Sequence, residues 1–496
     1  MKCREPMAGT PNSATIMRWI LVLGFVCFLP MHLQAEDRPQ IDRPNVVLIL
    51  ADDLGWSDLR CYGSDFHETP SLDSFCSTAT RFTHAYAPAP VCTPTRAALM
   101  TGKAPARLGI TIWSEGSLSG PNHRKLLQAD SRHDLPLSEK TMAEYFDERG
   151  YLTASIGKWH LGDAAHSPET QGFDINIGGT HWGAPTTFFW PYKGLRTSGN
   201  EFRYVPGLPY GEDGEYLTDR LTDEAIQLID KAHQTSQPFF LYLAHHAPHT
   251  PIEALPKDVA HFRSREPGTI HKNPVYAAMI KSLDDSVGRV LERLEELQLS
   301  QNTIVIFTSD NGGYLGSMKF EGQDIAITSN APLRSGKGTC YEGGLRVPLL
   351  IRWPRYEQPR VCDTPVMLTD LFPTIVHELV PEETLVTDGV DLRPLLKNSV
   401  SSLPPRSLYF HYPHYYHAPP STPVSAIRKG DWKLLHYYEV DHTELYNLRS
   451  DPSESTDLAA IDRVTAAQLN NELNGWLLQV GAKLPTVRTN SPKAKP

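Results

Sequence analysis

Apolar residues along this chain gather in short, nearly unbroken runs, and longer segments with helical spacing alternate with them. Val46 to Leu50, Tyr151 to Ile156, Phe239 to Ala244 and Thr303 to Thr308 are four such runs. A run of this length without a polar alternate suits a strand covered on both faces. Leu137 to Arg149, Tyr216 to His233 and Val275 to Leu297 repeat apolar residues at helical spacing. In the second, Leu217, Leu221, Ala225, Leu228, Ile229 and Ala232 share one face. Gly150 stands where a helix ending at Arg149 needs its stop. The alternation predicts an α/β fold: a large, mostly parallel sheet flanked by helices.

Beyond about residue 400 the texture changes. Ser407 to Tyr412, Val424 to Arg428 and Trp432 to Glu439 read as short strands, the last two joined by the turn Lys429-Gly430-Asp431. Thr443 to Leu448 adds another, and Ala459 to Val480 reads as a helix. These predict a smaller C-terminal α+β subdomain with an antiparallel sheet. At the other end, Trp19 to Leu29 is an apolar run between Arg18 and Leu33-Gln34-Ala35. It is shorter than the ~20 residues that span a bilayer and fits a signal peptide cut near Ala35. The expected organisation is a signal peptide over 1–35, a catalytic domain over 36–400 and the subdomain over 401–496. The protein is then secreted or periplasmic, or in a lysosomal-type compartment in a eukaryote, with no stable membrane insertion after cleavage.

A formal net charge of −10 over 496 residues argues against a general nucleic-acid binder, because no basic tract neutralises phosphates. It leaves room for a local cationic pocket that takes a small anion. With Cys3 and Cys27 in the signal segment, five cysteines remain: Cys61, Cys76, Cys92, Cys340 and Cys362. Setting Cys92 aside leaves four, an even number compatible with two disulfides whose pairing the sequence does not specify. No C-x-x-C spacing supports a thiolate zinc site.

Each of the four apolar runs leads into a polar segment that contains glycine or proline. These segments are Ala51-Asp52-Asp53-Leu54-Gly55, Gly157-Lys158-Trp159-His160-Leu161-Gly162, His245-His246-Ala247-Pro248-His249-Thr250-Pro251 and Ser309-Asp310-Asn311-Gly312-Gly313. In open α/β sheets, ligands sit beyond the carboxyl ends of the strands. Asp52, Asp53, Asp310 and Asn311 form an oxygen-donor set that a hard divalent cation would hold together, calcium or magnesium rather than zinc. Arg96, Lys158, His160, His249 and Lys337 form a second, donor-rich set. A metal with such donors suits a tetrahedral oxyanion ester, whose oxygens gain charge as the bond breaks. His245 and His246 read as hydrogen-bonded core residues. Cys92, within Ala89-Pro90-Val91-Cys92-Thr93-Pro94-Thr95-Arg96, falls where a turn feeds a helix, a position that lowers a thiol's pKa.

These segments resemble the signatures of type I sulfatases, formylglycine-dependent members of the alkaline phosphatase superfamily. Cys92-Thr93-Pro94-Thr95-Arg96 is similar to C-x-P-[ST]-R, Gly157 to Gly162 is G-K-W-H-L-G, and residues 51–55, 309–313 and 332–348 match further motifs in family order. The resemblance implies that Cys92 is oxidised to Cα-formylglycine by a formylglycine-generating enzyme. Its hydrated aldehyde, a geminal diol, would attack sulfur, release the alcohol and then expel sulfate as the aldehyde reforms. It implies Asp52, Asp53, Asp310 and Asn311 as ligands of one ion, Ca2+ ahead of Mg2+, with residue 92 completing the shell. It implies Arg96 as the residue orienting the nucleophile, Lys158 and Lys337 as holders of sulfate oxygens, His160 as the base of aldehyde regeneration and His249 as the acid at the leaving oxygen.

The implied substrate is a sulfated carbohydrate or an aryl sulfate. Trp113, His181, Trp182, Trp190 and the run His411 to His417 are candidate walls for a sugar, since aromatic faces stack on pyranose rings, and equally candidates for core. Two other readings stand beside a sulfuric ester hydrolase. One is a phosphonate or phosphate ester hydrolase using the same site; the other is a secreted glycan-binding pseudoenzyme.

Overall fold

A computed structural model describes residues 43–488 apart from 119, 196–200, 357–359, 399 and 401. The expected signal segment lies outside the described residues. Nine strands form the main sheet: β1 (Asn45–Ala51), β2 (Thr80–Tyr86), β3 (Leu152–Gly157), β4 (Ile175–Ile177), β5 (Phe239–Ala244), β6 (Thr303–Ser309), β7 (Arg346–Arg352), β8 (Arg360–Cys362) and β9 (Val366–Met367). Their order is β8-β2-β7-β6-β1-β5-β3-β4, with β9 also on β2. Only β7 runs antiparallel to its neighbours, β2 and β6. The four strands read from apolar runs are therefore adjacent, parallel and central, in the order β6-β1-β5-β3.

Both faces of the sheet are covered, which is why these strands carry no polar alternation. Val47 and Ile49 of β1 join one apolar cluster with α1 (Pro70–Ser77), α4 (Leu217–Gln234) and α5 (Pro274–Glu296). Val46, Leu48 and Leu50 join the other, with α2 (Cys92–Thr101), α3 (Met142–Asp147) and α6 (Leu371–Leu379). Helix α3 begins five residues later than the apolar spacing from Leu137 predicts. Thr141 and Glu144 form a reciprocal capping box that satisfies the first free N–H groups and sets the start there.

The C-terminal sheet is an antiparallel meander of β10 (Ser407–Tyr412), β11 (Val424–Lys429), β12 (Trp432–Tyr437) and β13 (His442–Asn447). One face takes Leu469, Leu473 and Leu477 of α7 (Arg463–Gln479) against Ile427, Leu434 and Leu445. The other packs Phe410, Tyr412, Ala426 and Leu435 with Tyr86, Val91, Cys340 and Leu345. The second sheet thus backs the loops on either side of Cys92 and Lys337. From Arg43 onward the chain forms one compact unit. No helix among the described residues is long and apolar enough to cross a membrane.

Candidate active site

Because β6, β1, β5 and β3 lie side by side and point the same way, the residues just beyond them meet at one edge of the sheet. Two turn there through the left-handed region, Asp53 at φ 65° and His160 at φ 62°. Non-glycine residues hold that conformation at a cost, and such strain concentrates at functional sites. Asp53 N–H donates to Asp310 Oδ1 at 3.1 Å, tying the first strand end to the fourth.

The carboxylates are buried and matched to cations. Lys158 Nζ lies 2.7 and 2.9 Å from the two oxygens of Asp52. Arg96, fully buried, reaches Asp310 Oδ2 with Nε at 2.9 Å and Nη2 at 2.8 Å, and donates from Nη1 to the Lys158 carbonyl at 2.9 Å. Lys337 Nζ is 2.7 Å from Asp53 and 3.6 Å from Cys92 Sγ. Asn311 donates from Nδ2 to Asp53 Oδ1 at 2.8 Å. Burial, with Asp310 and Asp53 nearby, pushes Asp52 up to about 8 despite Lys158. Burial opposes ionisation of Asp53 too, but Lys337 and His249 outweigh it and hold that carboxyl down at about 2.

Cys92 opens α2 behind an extended Val91, as the turn-into-helix reading predicts. Its thiol is not activated, however. Burial, together with Asp310 and Asp52, pushes it up to about 11 and overrides Lys158 and Lys337. The lowering expected from the helix terminus is reversed because the side chain is cut off from water. A residue so placed is a poor thiolate nucleophile.

The histidines divide by partner. His249 Nδ1 lies 2.8 Å from the Thr250 carbonyl and Nε2 3.5 Å from Asp53 Oδ2. Burial first, then Lys337, lowers it to about 3. His160 is buried with neither ring nitrogen hydrogen-bonded among the described residues. Of the two histidines read as core, His245 bonds Ser286 Oγ at 2.9 Å. His246 departs from that reading: it is buried, with no hydrogen bond to either ring nitrogen among the described residues.

The oxygen-donor set and the donor-rich set expected from sequence thus fall in one cluster with Cys92. Ligand atoms of Asp52, Asp53, Cys92 and His249 lie within 4.8 Å of one another. Asn311 Oδ1 is buried without a hydrogen-bond partner among the described residues. Three crowded carboxylates and an orphaned amide oxygen make an all-oxygen donor set of the kind that holds a hard cation. The donor set fits Ca2+ or Mg2+.

A cavity of about 290 Å3 opens onto Asp53, Cys92, His160, His249 and Lys337. Trp113, Tyr416 and His417 line it, as three of the proposed sugar-facing aromatics. Trp182 instead stacks edge-on with Tyr204 at 5.1 Å, Trp190 packs on the main core, and His411, Tyr412 and His414 are buried. Tyr314, Glu115 and Arg203 line the cavity without a sequence signal. Arg203 pairs with the nearby Glu201 at 2.6 Å and with Glu115 at 2.9 Å, the latter a contact closed between distant segments. A larger cavity of about 610 Å3, lined by Arg360, Asp363, Arg406 and Arg428, contains none of the strand-end residues.

Comparison with known proteins agrees with this geometry. The family described as Sulfatase matches residues 44–379, and the one described as N-sulphoglucosamine sulphohydrolase, C-terminal, matches residues 336–483. The chain is similar to arylsulfatase A of Homo sapiens, 35% identical over 417 residues that cover 80% of this chain and 75% of that protein. It is 33% identical over 407 residues to N-acetylgalactosamine-6-sulfatase of Canis lupus familiaris, covering 77% and 70%. Among solved structures it resembles Ps i-CgsB in complex with k-i-k-neocarrahexaose, at 32% identity and a TM-score of 0.71, over 88% of this chain and 93% of that one. The chain belongs to the sulfatase family, and is a hydrolase of sulfate esters.

Proposed function

We propose that this enzyme removes sulfate from a sulfated carbohydrate, using residue 92 as Cα-formylglycine beside a Ca2+ ion. The observation that carries the reading is the convergence of Asp52, Asp53, Asp310, Asn311, Lys158, Lys337 and His249 around a cysteine that burial makes unfit as a thiolate. Asp52, Asp53, Asp310 and Asn311 would hold the ion. Conversion by a formylglycine-generating enzyme, with the ion bound, would supply a hydroxyl nucleophile at residue 92.

The remaining work falls to side chains already in place. Lys158 and Lys337 are the cations nearest residue 92 and bind the nonbridging sulfate oxygens, where charge grows as the ester bond breaks. Arg96, locked between Asp310 and the Lys158 carbonyl, holds both partners in position. The Thr250 carbonyl accepts a hydrogen bond from His249 Nδ1–H, so Nε2 is the atom left to meet the leaving oxygen, and it must gain a proton in the substrate complex to act there as the acid. His160, a wall of the cavity with both nitrogens free of hydrogen bonds among the described residues, is placed to take the proton that regenerates the aldehyde.

The cavity mixes the charged and polar side chains of Asp53, Glu115, Arg203 and Lys337 with the aromatic walls of Trp113, Tyr314 and Tyr416, which supports a sugar over a wholly apolar alcohol. The N-acetylgalactosamine-6-sulfatases and the structure with a neocarrahexaose bound support the same class. The deciding experiment joins two measurements on protein made with a formylglycine-generating enzyme. Mass analysis of the peptide carrying residue 92 should show an aldehyde in place of the thiol. Turnover of sulfated oligosaccharides and of an aryl sulfate should exceed that of the matching phosphate and phosphonate. An unconverted but active protein would overturn the nucleophile assignment. Faster phosphonate than sulfate turnover would overturn the substrate reading, and tight binding of sulfated glycans without sulfate release would make the protein a binder.

A further inference from the structure

The turn Arg60–Tyr62 leaves the metal-ligand loop and is laced to α1. Cys61 N–H donates to Asp73 Oδ1 at 2.9 Å and Arg60 N–H to Thr69 Oγ1 at 3.0 Å, while Thr69 Oγ1 donates to Asp73 Oδ1 at 3.2 Å. Asp73 and Cys76 stand three apart on α1, so both fall on the face turned towards that turn. The Cys61 and Cys76 side chains accordingly come together, each thiol being the strongest influence on the other's ionisation. Both are partly exposed, and both pack on the rim of the same apolar cluster. Cys340 and Cys362 differ: each is buried, and they belong to separate clusters.

We propose that Cys61 and Cys76 are joined by a disulfide in the exported protein, so the chain carries one such cross-link instead of the two its cysteine count allows. The proposal rests on export to an oxidising compartment and is independent of how residue 92 is used. The neighbouring Cys61 thiol first, and Arg81 after it, favour the thiolate of Cys76. That thiolate attacks one sulfur of an external disulfide, of the glutathione or oxidoreductase class, forming a mixed disulfide and expelling one thiolate. Cys61 then gives its proton to solvent, attacks the Cys76 sulfur and releases the second thiolate. Two thiols lose two electrons and two protons, and the external disulfide becomes two thiols.

The bond would close Cys61–Cys76 into a ring around His67, Thr69 and Asp73. His67 Nδ1 lies 2.8 Å from the Asp58 carbonyl, and the Asp58 carboxylate accepts from Gly55 N–H at 2.7 Å and Tyr276 OH at 2.8 Å. The ring therefore fixes the support behind the Asp52–Gly55 loop.

The test is a non-reducing peptide map of exported wild-type protein, denatured and alkylated with N-ethylmaleimide. The expected result is one linked species containing Cys61 and Cys76 that a phosphine reductant splits, with Cys340 and Cys362 alkylated. Full alkylation of Cys61 and Cys76, or linkage of either to another cysteine, overturns the proposal. As a second readout, the reductant should lower the Tm of wild type and leave that of a Cys61→Ala/Cys76→Ala variant unchanged. An equal shift in both overturns it, and if the variant does not fold, the wild-type map decides. None of these readouts depends on sulfatase activity, so failure here and failure of the proposed chemistry are separable.

Discussion

Lys433 lies in β12, far in sequence from the strand ends, yet replacing it with methionine should damage both stability and catalysis. Its ammonium is 2.9 Å from Glu342 Oε1 and 2.9 Å from Glu454 Oε1, and all three side chains are buried. Removing one partner of a buried pair costs ~3–5 kcal/mol, because the charge left behind is unpaired. Burial and Glu342 already push Glu454 up to about 7, from an ordinary 4.5. Arg428, Arg346 and the Tyr86 hydroxyl remain beside Glu342 when Lys433 is lost, which places the cost at the lower end of that range, ~3 kcal/mol. Unfolding roughly 450 residues carries an entropy near 0.95 kcal/mol/K, so the Tm of Lys433→Met should fall by ~3–4 °C.

The catalytic effect comes from the loop that this network holds. Glu342 N–H donates to Glu454 Oε2 at 2.7 Å, and Arg334 Nη1 to the Glu454 carbonyl at 2.7 Å. These bonds clamp both ends of the loop that carries Lys337, whose Nζ sits between Asp53 and Cys92. A shift of about 1 Å at a positioning group can cost roughly 100-fold in rate, so kcat/KM for a sulfate ester should drop about tenfold or more. Calorimetry and initial rates on the same preparation check both, and Lys433→Met/Glu454→Gln should regain part of the lost Tm by removing one buried carboxylate. A variant with Tm within about 1 °C of wild type and unchanged kcat/KM would refute the reasoning.

Glu454 also sets a pH dependence. Its folded value near 7 lies above its ordinary 4.5, so the folded state binds more protons between these limits and stability falls as pH rises through that window. Glu454→Gln should flatten this part of a denaturation-against-pH curve; an unaltered slope would assign it elsewhere. Metal removal should act the same way at any pH above the carboxylates: chelation with EDTA should lower Tm by a few degrees, since a ligand at about 100 times its Kd contributes ~2.7 kcal/mol. Ca2+ should restore Tm and activity together, and a Tm indifferent to EDTA and Ca2+ would count against a resident ion. Gly183→Ala would put a Cβ 2.4 Å from His160 Cε1. Overpacking of that kind costs ~1–3 kcal/mol, and displacing the imidazole should slow turnover more than it weakens substrate binding. Initial rates showing an unchanged kcat would remove His160 from the reaction.

The sequence exposes those features whose physical cause is local. A strand covered on both faces must be apolar throughout, so β1, β3, β5 and β6 announce themselves, and a sheet with parallel strands places their C-terminal loops at one edge. Asp52, Lys158, His249 and Asp310 could be grouped for that reason, before any distance between them was known. The late start of α3 is local as well, but it depends on a reciprocal side-chain cap that apolar spacing does not register. Features closed by contacts between distant segments stayed hidden. Lys433 looks like the polar position of a surface hairpin, and only the packing of the second sheet on the Lys337 loop turns it into a buried cation between two carboxylates. Arg203 is hidden in the same way, because its partner Glu115 is 88 positions away. Cys92 makes the point in chemical terms. Its neighbours in sequence argue for an acidic thiol, and its neighbours in space exclude water and push the thiol up to about 11. A helix terminus and nearby cations lower a pKa only while the charge they favour can be solvated or paired. Here the pairing is already taken: Lys158 and Lys337 are committed to Asp52 and Asp53, and an uncharged residue at position 92 is what the buried charges around it accommodate.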